Sequence, residues 1–132
     1  MVVNKNIQNG KTVYTISNEL GDKVLTIEKT DENASVIFNL TGRIDTQTAP
    51  DLQNTVCENI NKTENIHVVL NFSGVEYMSS AGLRAMLYIN KKVSTLENSD
   101  MKIIKVNPEV MEIFDMTDFR EILNIEESYH EA

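Results

Sequence analysis

Short apolar runs of strand length alternate along the chain with longer segments in which apolar residues recur every three or four positions. The strand-like runs occupy residues 23–28, 36–40, 66–72 and 101–106. A polar turn at residues 30–33 is expected to join the first two as a hairpin, and Ser73 and Gly74 are expected to end the third. The run at 66–72 is apolar at nearly every position, which is typical of a strand covered on both faces.

The segments with helical spacing each predict a helix with one buried face. Thr48 and Asp51 are placed as a capping box for the first helix, with Pro50 in its first turn. The second helix is expected to start near Ser79 or Ser80. The apolar stripes are Ala49, Leu52, Val56 and Ile60, then Gly82, Met86, Ile89, Val93 and Leu96, then Val110, Ile113 and Phe114 after a start signal at Asn107, Pro108 and Glu109.

This order of elements predicts an α/β fold, with a mixed β-sheet of four to five strands and helices packed on it. A chain of 132 residues can enclose a single core, so we expect one domain. Residues 1–22 are expected to form an N-terminal extension, in which residues 12–16 could add an edge strand, and residues 23–132 form the main domain. A turn and a short final element are expected after the third helix.

The charge balance disfavours nucleic acid as a direct partner, because 20 acidic and 12 basic residues give a formal charge of -8. We find neither a membrane-spanning apolar run nor a secretory signal, and we expect a cytoplasmic protein that makes no membrane contact. Cys57 is the only cysteine, which excludes an intramolecular disulfide and a cysteine-rich zinc cluster.

Catalytic and cofactor motifs are missing from the sequence. A serine hydrolase needs a base beside its nucleophile, but His67 is expected to be a structural residue of a buried strand and His130 lies near the carboxyl end. The nucleophile motif Gly-x-Ser-x-Gly fails at Met78, which occupies the position of the first glycine. No glycine-rich phosphate loop occurs. We therefore expect no enzymatic activity, no cofactor and no bound metal.

The serines at the start of the second helix have two interpretations. A serine at this position caps free backbone N–H groups, and this explains both residues in structural terms alone. A helix start also tolerates a phosphate on an exposed serine. Phosphorylation there would add about 1.5 to 2 negative charges, enough to displace an acidic or apolar partner.

Residues 40–45, 77–84 and 110–117, together with the order of elements, resemble the STAS domain family, over about residues 23–125. Its best-known free-standing members are bacterial anti-sigma-factor antagonists. The resemblance implies a partner-switching role in transcription regulation: the protein would bind an anti-sigma factor that is also a serine kinase, and phosphorylation of a serine would end that binding. Ser80 matches the family's phosphorylated serine, and Ser79 is the alternative. The commonest family motif, Asp-Ser-Ser-Gly, is here Ser79-Ser80-Ala81-Gly82.

The same resemblance implies a partner surface around the starts of the first two helices. It comprises Asp45, Thr48, Met78, Ser79, Ala81, Gly82, Leu83 and Arg84. For Asp45 and Thr48, helix capping is an equal alternative. ATP would belong to the kinase, and a serine phosphatase would be a further partner. The sequence is also compatible with a homodimer.

A second hypothesis is a STAS binding or scaffold module without phosphorylation, in a lipid-transport complex or a stress-sensing assembly. A serine hydrolase that uses Ser80 is a distant third.

Overall fold

The structure, a computed structural model, describes residues 1–33 and 35–127. The strands are β1 (Val2–Gln8), β2 (Lys11–Ser17), β3 (Lys23–Glu32), β4 (Ser35–Ile44), β5 (His67–Met78), β6 (Asp100–Val106) and β7 (Asn124–Glu127). The helices are α1 (Ala49–Glu58), α2 (Ser80–Ser94) and α3 (Pro108–Asp115), and a 3₁₀ turn covers Asp118–Glu121.

The strands form one sheet in the order β1-β2-β3-β4-β5-β6-β7. Neighbours from β1 to β4 are antiparallel, and neighbours from β4 to β7 are parallel. The mixed sheet and the three helices confirm the predicted α/β class. The predicted count of four to five strands is wrong, since the sheet has seven.

The uncounted strands lie at the two ends of the sheet. All seven residues of β1 are exposed, so this strand has no apolar alternation that a sequence pattern could reveal. The segment expected at residues 12–16 lies within β2, which pairs with β1 on one side and β3 on the other and so is not an edge strand. At the other end, the short final element expected after α3 is β7, preceded by the 3₁₀ turn.

The crossovers from β4 through β5 and β6 to β7 all run in one direction along the sheet. Because crossovers between parallel strands are almost always right-handed, the three helices lie on one face of the sheet. Strand residues alternate accordingly between buried and half-buried, as in the first six residues of β4 and of β5. The expectation that helices cover both faces of β5 is therefore wrong. The predicted stripes of α1 and α2 are buried in the core. Leu96 is an exception, since α2 ends at Ser94 and Leu96 is only partly buried.

Two predicted strand ends are wrong. Strand β3 continues to Glu32, directly opposite Ser35 of β4, so the expected turn at residues 30–33 is much shorter. Strand β5 does not end at Ser73 and Gly74 but continues to Met78. Gly74 allows this because β4 approaches closely: a Cβ atom there would lie 2.8 Å from the Leu40 carbonyl oxygen. A glycine in a strand often marks such an approach.

The third helix begins as predicted. The side chain of Asn107 accepts a hydrogen bond from the Val110 N–H at 2.8 Å, and Pro108 is the first helical residue. The Asn107 amide also donates to the Val75 carbonyl at 2.8 Å, which fixes α3 to β5. Within the described part of the chain, no helix is both long and apolar enough to cross a bilayer.

Candidate functional site

The starts of α1 and α2 lie side by side because the strands that precede them are parallel neighbours. Ile44, the last residue of β4, is paired with Met78, the last residue of β5. The Ser79 N–H donates to the Ile44 carbonyl at 2.9 Å, directly after the paired residues. The carboxyl ends of adjacent parallel strands are where α/β sheets place their binding residues. The segments after the two strands therefore form one continuous surface.

The two serines at the start of α2 have different environments. Ser79 is the N-cap: its backbone is extended, and its hydroxyl accepts a hydrogen bond from the Ala81 N–H at 3.3 Å. Ser80 is the first helical residue and its side chain is exposed. The Ser80 hydroxyl has no hydrogen-bond partner among the described residues. The structure thus assigns capping to Ser79 and leaves the Ser80 hydroxyl available to solvent.

The start of α1 is built from Asp45 and Thr48. A carboxylate oxygen of Asp45 accepts hydrogen bonds from the N–H groups of Gln47 at 2.9 Å and Thr48 at 3.0 Å. The Thr48 hydroxyl accepts from the Asp45 N–H at 2.9 Å and lies 2.9 Å from the Arg43 carbonyl, to which it donates. Thr48 is fully buried, whereas Asp45 is half-buried.

The predicted capping box between Thr48 and Asp51 is wrong. Thr48 occupies the N-cap position but has helical dihedral angles, and its side chain makes no capping bond. A capping side chain normally belongs to a residue with extended backbone. The Thr48 hydroxyl instead accepts from the Asp45 N–H, which lies before the helix. The Asp45 carboxylate in turn accepts from the N–H groups of Gln47 and Thr48.

The floor of the surface is apolar and tightly packed. A Cβ atom on Gly82 would lie 2.5 Å from Cγ of Met78 and 2.7 Å from Cγ2 of Ile44. These distances are below any normal contact between carbon atoms. Glycine at position 82 thus lets the first turn of α2 lie directly on the ends of β4 and β5.

Exposure divides the predicted partner-binding residues into two groups. Ser80 and Arg84 are exposed, and Asp45, Ser79 and Ala81 are half-buried. The buried members are Thr48, Met78, Gly82 and Leu83. The structure therefore brings all eight positions and Ser80 together around the two helix starts. The four buried residues cannot contact a partner directly and instead pack beneath the exposed ones.

A groove runs between α1 and α2 beside these residues. It has a volume of about 390 Å³ and is lined by Thr46, Ala49, Pro50, Gln53, Asn54, Ala81, Arg84 and Ala85. Arg84 and Ala81 connect the groove to the surface that carries Ser80. This shape could accept protruding side chains of a partner protein.

One pair of residues at the margin of the surface is not predictable from the sequence. The guanidinium carbon of Arg43 lies 4.3 Å from the centroid of the Tyr77 ring, and both residues are exposed. Such cation–π contacts contribute about 0.5–1 kcal/mol at exposed sites. The two residues pair across β4 and β5 but are distant in sequence, so no local pattern could have revealed their contact.

No histidine that the structure describes lies near the serines. His67 is the first residue of β5, and its Nδ1 atom lies 2.9 Å from a carboxylate oxygen of Asp100. It is half-buried and begins the strand, where burial throughout was expected. The twelve-residue strand separates it from Met78 by roughly 35 Å. His130 lies outside the described residues.

Titratable groups suited to metal binding are also dispersed. Among residues 1–33 and 35–127, no three His, Cys, Asp or Glu side chains form a metal-binding cluster. Cys57 lies on α1 and is half-buried. Burial raises the pKa of its thiol, an effect that the nearby Lys92 charge partly opposes.

Comparison with known proteins identifies relatives over most of the chain. A model of the STAS domain matches residues 25–132. BtrV of Bordetella bronchiseptica, named as an anti-sigma factor antagonist, is 29% identical over 108 residues, which are 82% of this chain and 90% of that protein. The anti-sigma F factor antagonist of Paenibacillus polymyxa is 28% identical over 101 residues, or 76% of this chain and 86% of the relative.

Solved structures show the same fold. The crystal structure of an anti-sigma factor antagonist from Mycobacterium paratuberculosis superposes with a TM-score of 0.70 at 17% sequence identity, over 88% of this chain and 94% of that chain. The family model begins within β3, so the β1–β2 hairpin lies outside the matched range.

Proposed function

This chain belongs to the STAS domain family, and on that premise we propose that it is an anti-sigma-factor antagonist. It is a non-enzymatic bacterial protein of the cytoplasm that binds an anti-sigma factor serine kinase and so regulates transcription by partner switching. The names of two relatives with 29% and 28% identity support this assignment. The kinase supplies the ATP, and the antagonist itself needs no cofactor.

The partner surface consists of the accessible residues at the two helix starts, namely Asp45, Ser79, Ser80, Ala81 and Arg84. Thr48, Met78, Gly82 and Leu83 hold these residues in place from the interior. The neighbouring groove between α1 and α2 accepts side chains of the kinase. A surface of this kind combines an apolar base with a few polar groups, which suits a regulated protein–protein contact.

Ser80 is the phosphate acceptor in this proposal, and the contrast with Ser79 is the observation that carries it. A kinase needs an accessible hydroxyl, and the Ser80 hydroxyl is exposed and has no partner among the described residues. The Ser79 hydroxyl is half-buried and already accepts the Ala81 N–H. Modification of Ser80 leaves that cap intact, so α2 keeps its start.

The phosphate ends binding without unfolding the domain. It adds about 1.5 to 2 negative charges at the centre of the surface. A loss of roughly 3 kcal/mol in binding free energy weakens association more than a hundredfold. A serine phosphatase that removes the phosphate restores the binding form.

Intact-mass measurement with site mapping tests this proposal. The wild-type protein, Ser80→Ala and Ser79→Ala are each incubated with ATP and the anti-sigma factor kinase of the source organism, after circular dichroism has shown that the variants are folded. A single phosphate that is lost only in Ser80→Ala is the expected result. Loss only in Ser79→Ala moves the acceptor to that residue.

No phosphate on any of the three proteins, with a kinase that is active on another substrate, contradicts the switch. That outcome favours the second hypothesis, a constitutive STAS binding or scaffold module of a lipid-transport complex or a stress-sensing assembly.

A further inference from the structure

Helix α2 carries basic side chains and no carboxylates. Arg84, Lys91 and Lys92 are its charged residues, and none of the 20 acidic residues of the chain falls within it. The formal charge of the whole chain is -8. The helix is therefore a local concentration of positive charge on an acidic protein, beginning at the residue proposed as phosphate acceptor.

Helical geometry places the exposed members of α2 on a single face. With 3.6 residues per turn, Ser80, Arg84 and Lys91 lie within about 40° of one another around the helix axis. Tyr88 is beside them, and the three cations and Tyr88 are all exposed. The buried residues of the helix, Gly82, Leu83, Ala85, Met86, Ile89 and Val93, occupy the opposite side. We call Ser80, Arg84, Tyr88 and Lys91 the α2 face.

The charges of this face are not neutralised within the described part of the protein. Arg84 and Lys91 form no ion pair there, whereas Lys11, Lys29 and Lys102 each do. Lys92 donates to the Cys57 carbonyl at 3.3 Å and so faces α1. An unpaired cation on a folded surface remains available to an opposite charge on a partner.

An exposed aromatic ring lies between the two unpaired cations. Tyr88 has 54% of its surface exposed, although it sits in the middle of the longest helix. Tyr and Arg are enriched among the residues that dominate protein–protein binding energy. The face thus combines complementary charge for an acidic partner with one amphipathic anchor.

We propose that the α2 face docks an acidic segment of the anti-sigma factor kinase, with carboxylates opposite Arg84 and Lys91 and an apolar side chain against Tyr88. This inference rests on the proposed function and extends its surface two to three turns along α2. It also gives the phosphate a specific effect. Phosphorylation of Ser80 lowers the formal charge of the helix from +3 to about +1, which weakens attraction to an acidic partner.

Association kinetics with the kinase of the source organism test the docking surface. The variant Lys91→Glu reverses one charge on the α2 face, and Lys62→Glu makes the same change in net charge on the exposed loop after α1. Exposed charges at the rim of an interface act mainly on the association rate, so Lys91→Glu is expected to lower the association rate roughly tenfold at low ionic strength. Lys62→Glu is expected to stay within about twofold of the wild type.

Two further measurements test the charges of the α2 face and the Tyr88 ring separately. The wild-type association rate should fall as ionic strength rises, with a smaller slope for Lys91→Glu. Tyr88→Ala should speed dissociation at every salt concentration, because its contribution is burial and not charge. Equal rates for Lys91→Glu and Lys62→Glu, or an association rate that does not depend on salt, overturn this inference and leave the proposed function in place. A kinase that does not bind the wild-type protein overturns both.

Discussion

The backbone N–H of Ser79 donates to the carbonyl of Ile44 at 2.9 Å, and this bond joins the segments that follow two neighbouring parallel strands. The cap of α2 is thereby held against the end of β4, just before the turn that leads into α1. A substitution that shifts one helix start is therefore expected to shift the other, because both helices begin at the paired ends of β4 and β5.

Substitution of Gly82 by alanine should destabilise the protein, although alanine is the better helix former by about 1 kcal/mol. The added methyl group overlaps Met78 and Ile44. Overpacking of this kind costs about 1–3 kcal/mol. After the gain of about 1 kcal/mol in helix propensity is subtracted, we expect the free energy of unfolding to fall by up to about 2 kcal/mol. Urea denaturation measures it. Asn90→Ala, on the half-buried side of the same helix, serves as the control and should not destabilise; a stabilised Gly82→Ala variant would contradict the packing described here.

Substitution of Thr48 by valine keeps the shape of the side chain but removes its hydroxyl. The Asp45 N–H and the Arg43 carbonyl then lose the hydroxyl of the fully buried Thr48 as a partner. An unsatisfied buried polar group costs about 1–3 kcal/mol. Because Asp45 is half-buried and Arg43 is exposed, we expect a total destabilisation within that range. Thr46→Val is the matched control because Thr46 is exposed. Equal urea midpoints for the two variants would show that the Thr48 bonds contribute nothing to stability.

The adjacent serines should differ in their effect on stability. Ser79→Ala removes the hydroxyl that caps α2 and should cost about 1 kcal/mol. Ser80→Ala removes an exposed hydroxyl and should change the free energy of unfolding by less than about 0.5 kcal/mol. Thermal or urea unfolding of the unphosphorylated proteins gives both values. The opposite order would mean that Ser80, and not Ser79, caps the helix.

The thiol of Cys57 should react slowly at neutral pH, because its raised pKa keeps it protonated. The rate of alkylation by iodoacetamide should reach its plateau at a higher pH in the folded protein than in the urea-unfolded chain. Lys92 lowers the pKa of this thiol, so Lys92→Gln should move the plateau to still higher pH. Lys91→Gln, which removes the neighbouring charge, should leave the profile unchanged. Identical profiles for the folded and unfolded protein would contradict the effect of burial.

Much of the fold could be predicted because its signals are local. The apolar stripes of α1 and α2 have the helical period, and nearly all their members lie in the core. Asn107 and Pro108 mark the start of α3 by residue type alone, and both have the expected positions. The motif at residues 77–84 led to the correct family.

The errors arise where the cause is distant in sequence. Strand β1 is present because it pairs with β2, and its own residues carry no periodic pattern. Strand β5 passes through Gly74 because β4 lies close to it at that point. The contact between Arg43 and Tyr77 likewise depends on the register of β4 against β5.

At the candidate site, the sequence by itself determined that a helix starts at the two serines, because capping residues and apolar periodicity act within a few positions of the chain. Only the tertiary structure decided that the Ser79 hydroxyl is hydrogen-bonded while the Ser80 hydroxyl is exposed. It also decided that the Thr48 hydroxyl bonds to the backbone of Asp45 and Arg43, which precede the helix. The physical reason is that a hydroxyl group can both donate and accept hydrogen bonds, so several different partners would satisfy it. Which of them it meets depends on how neighbouring strands bring distant segments together.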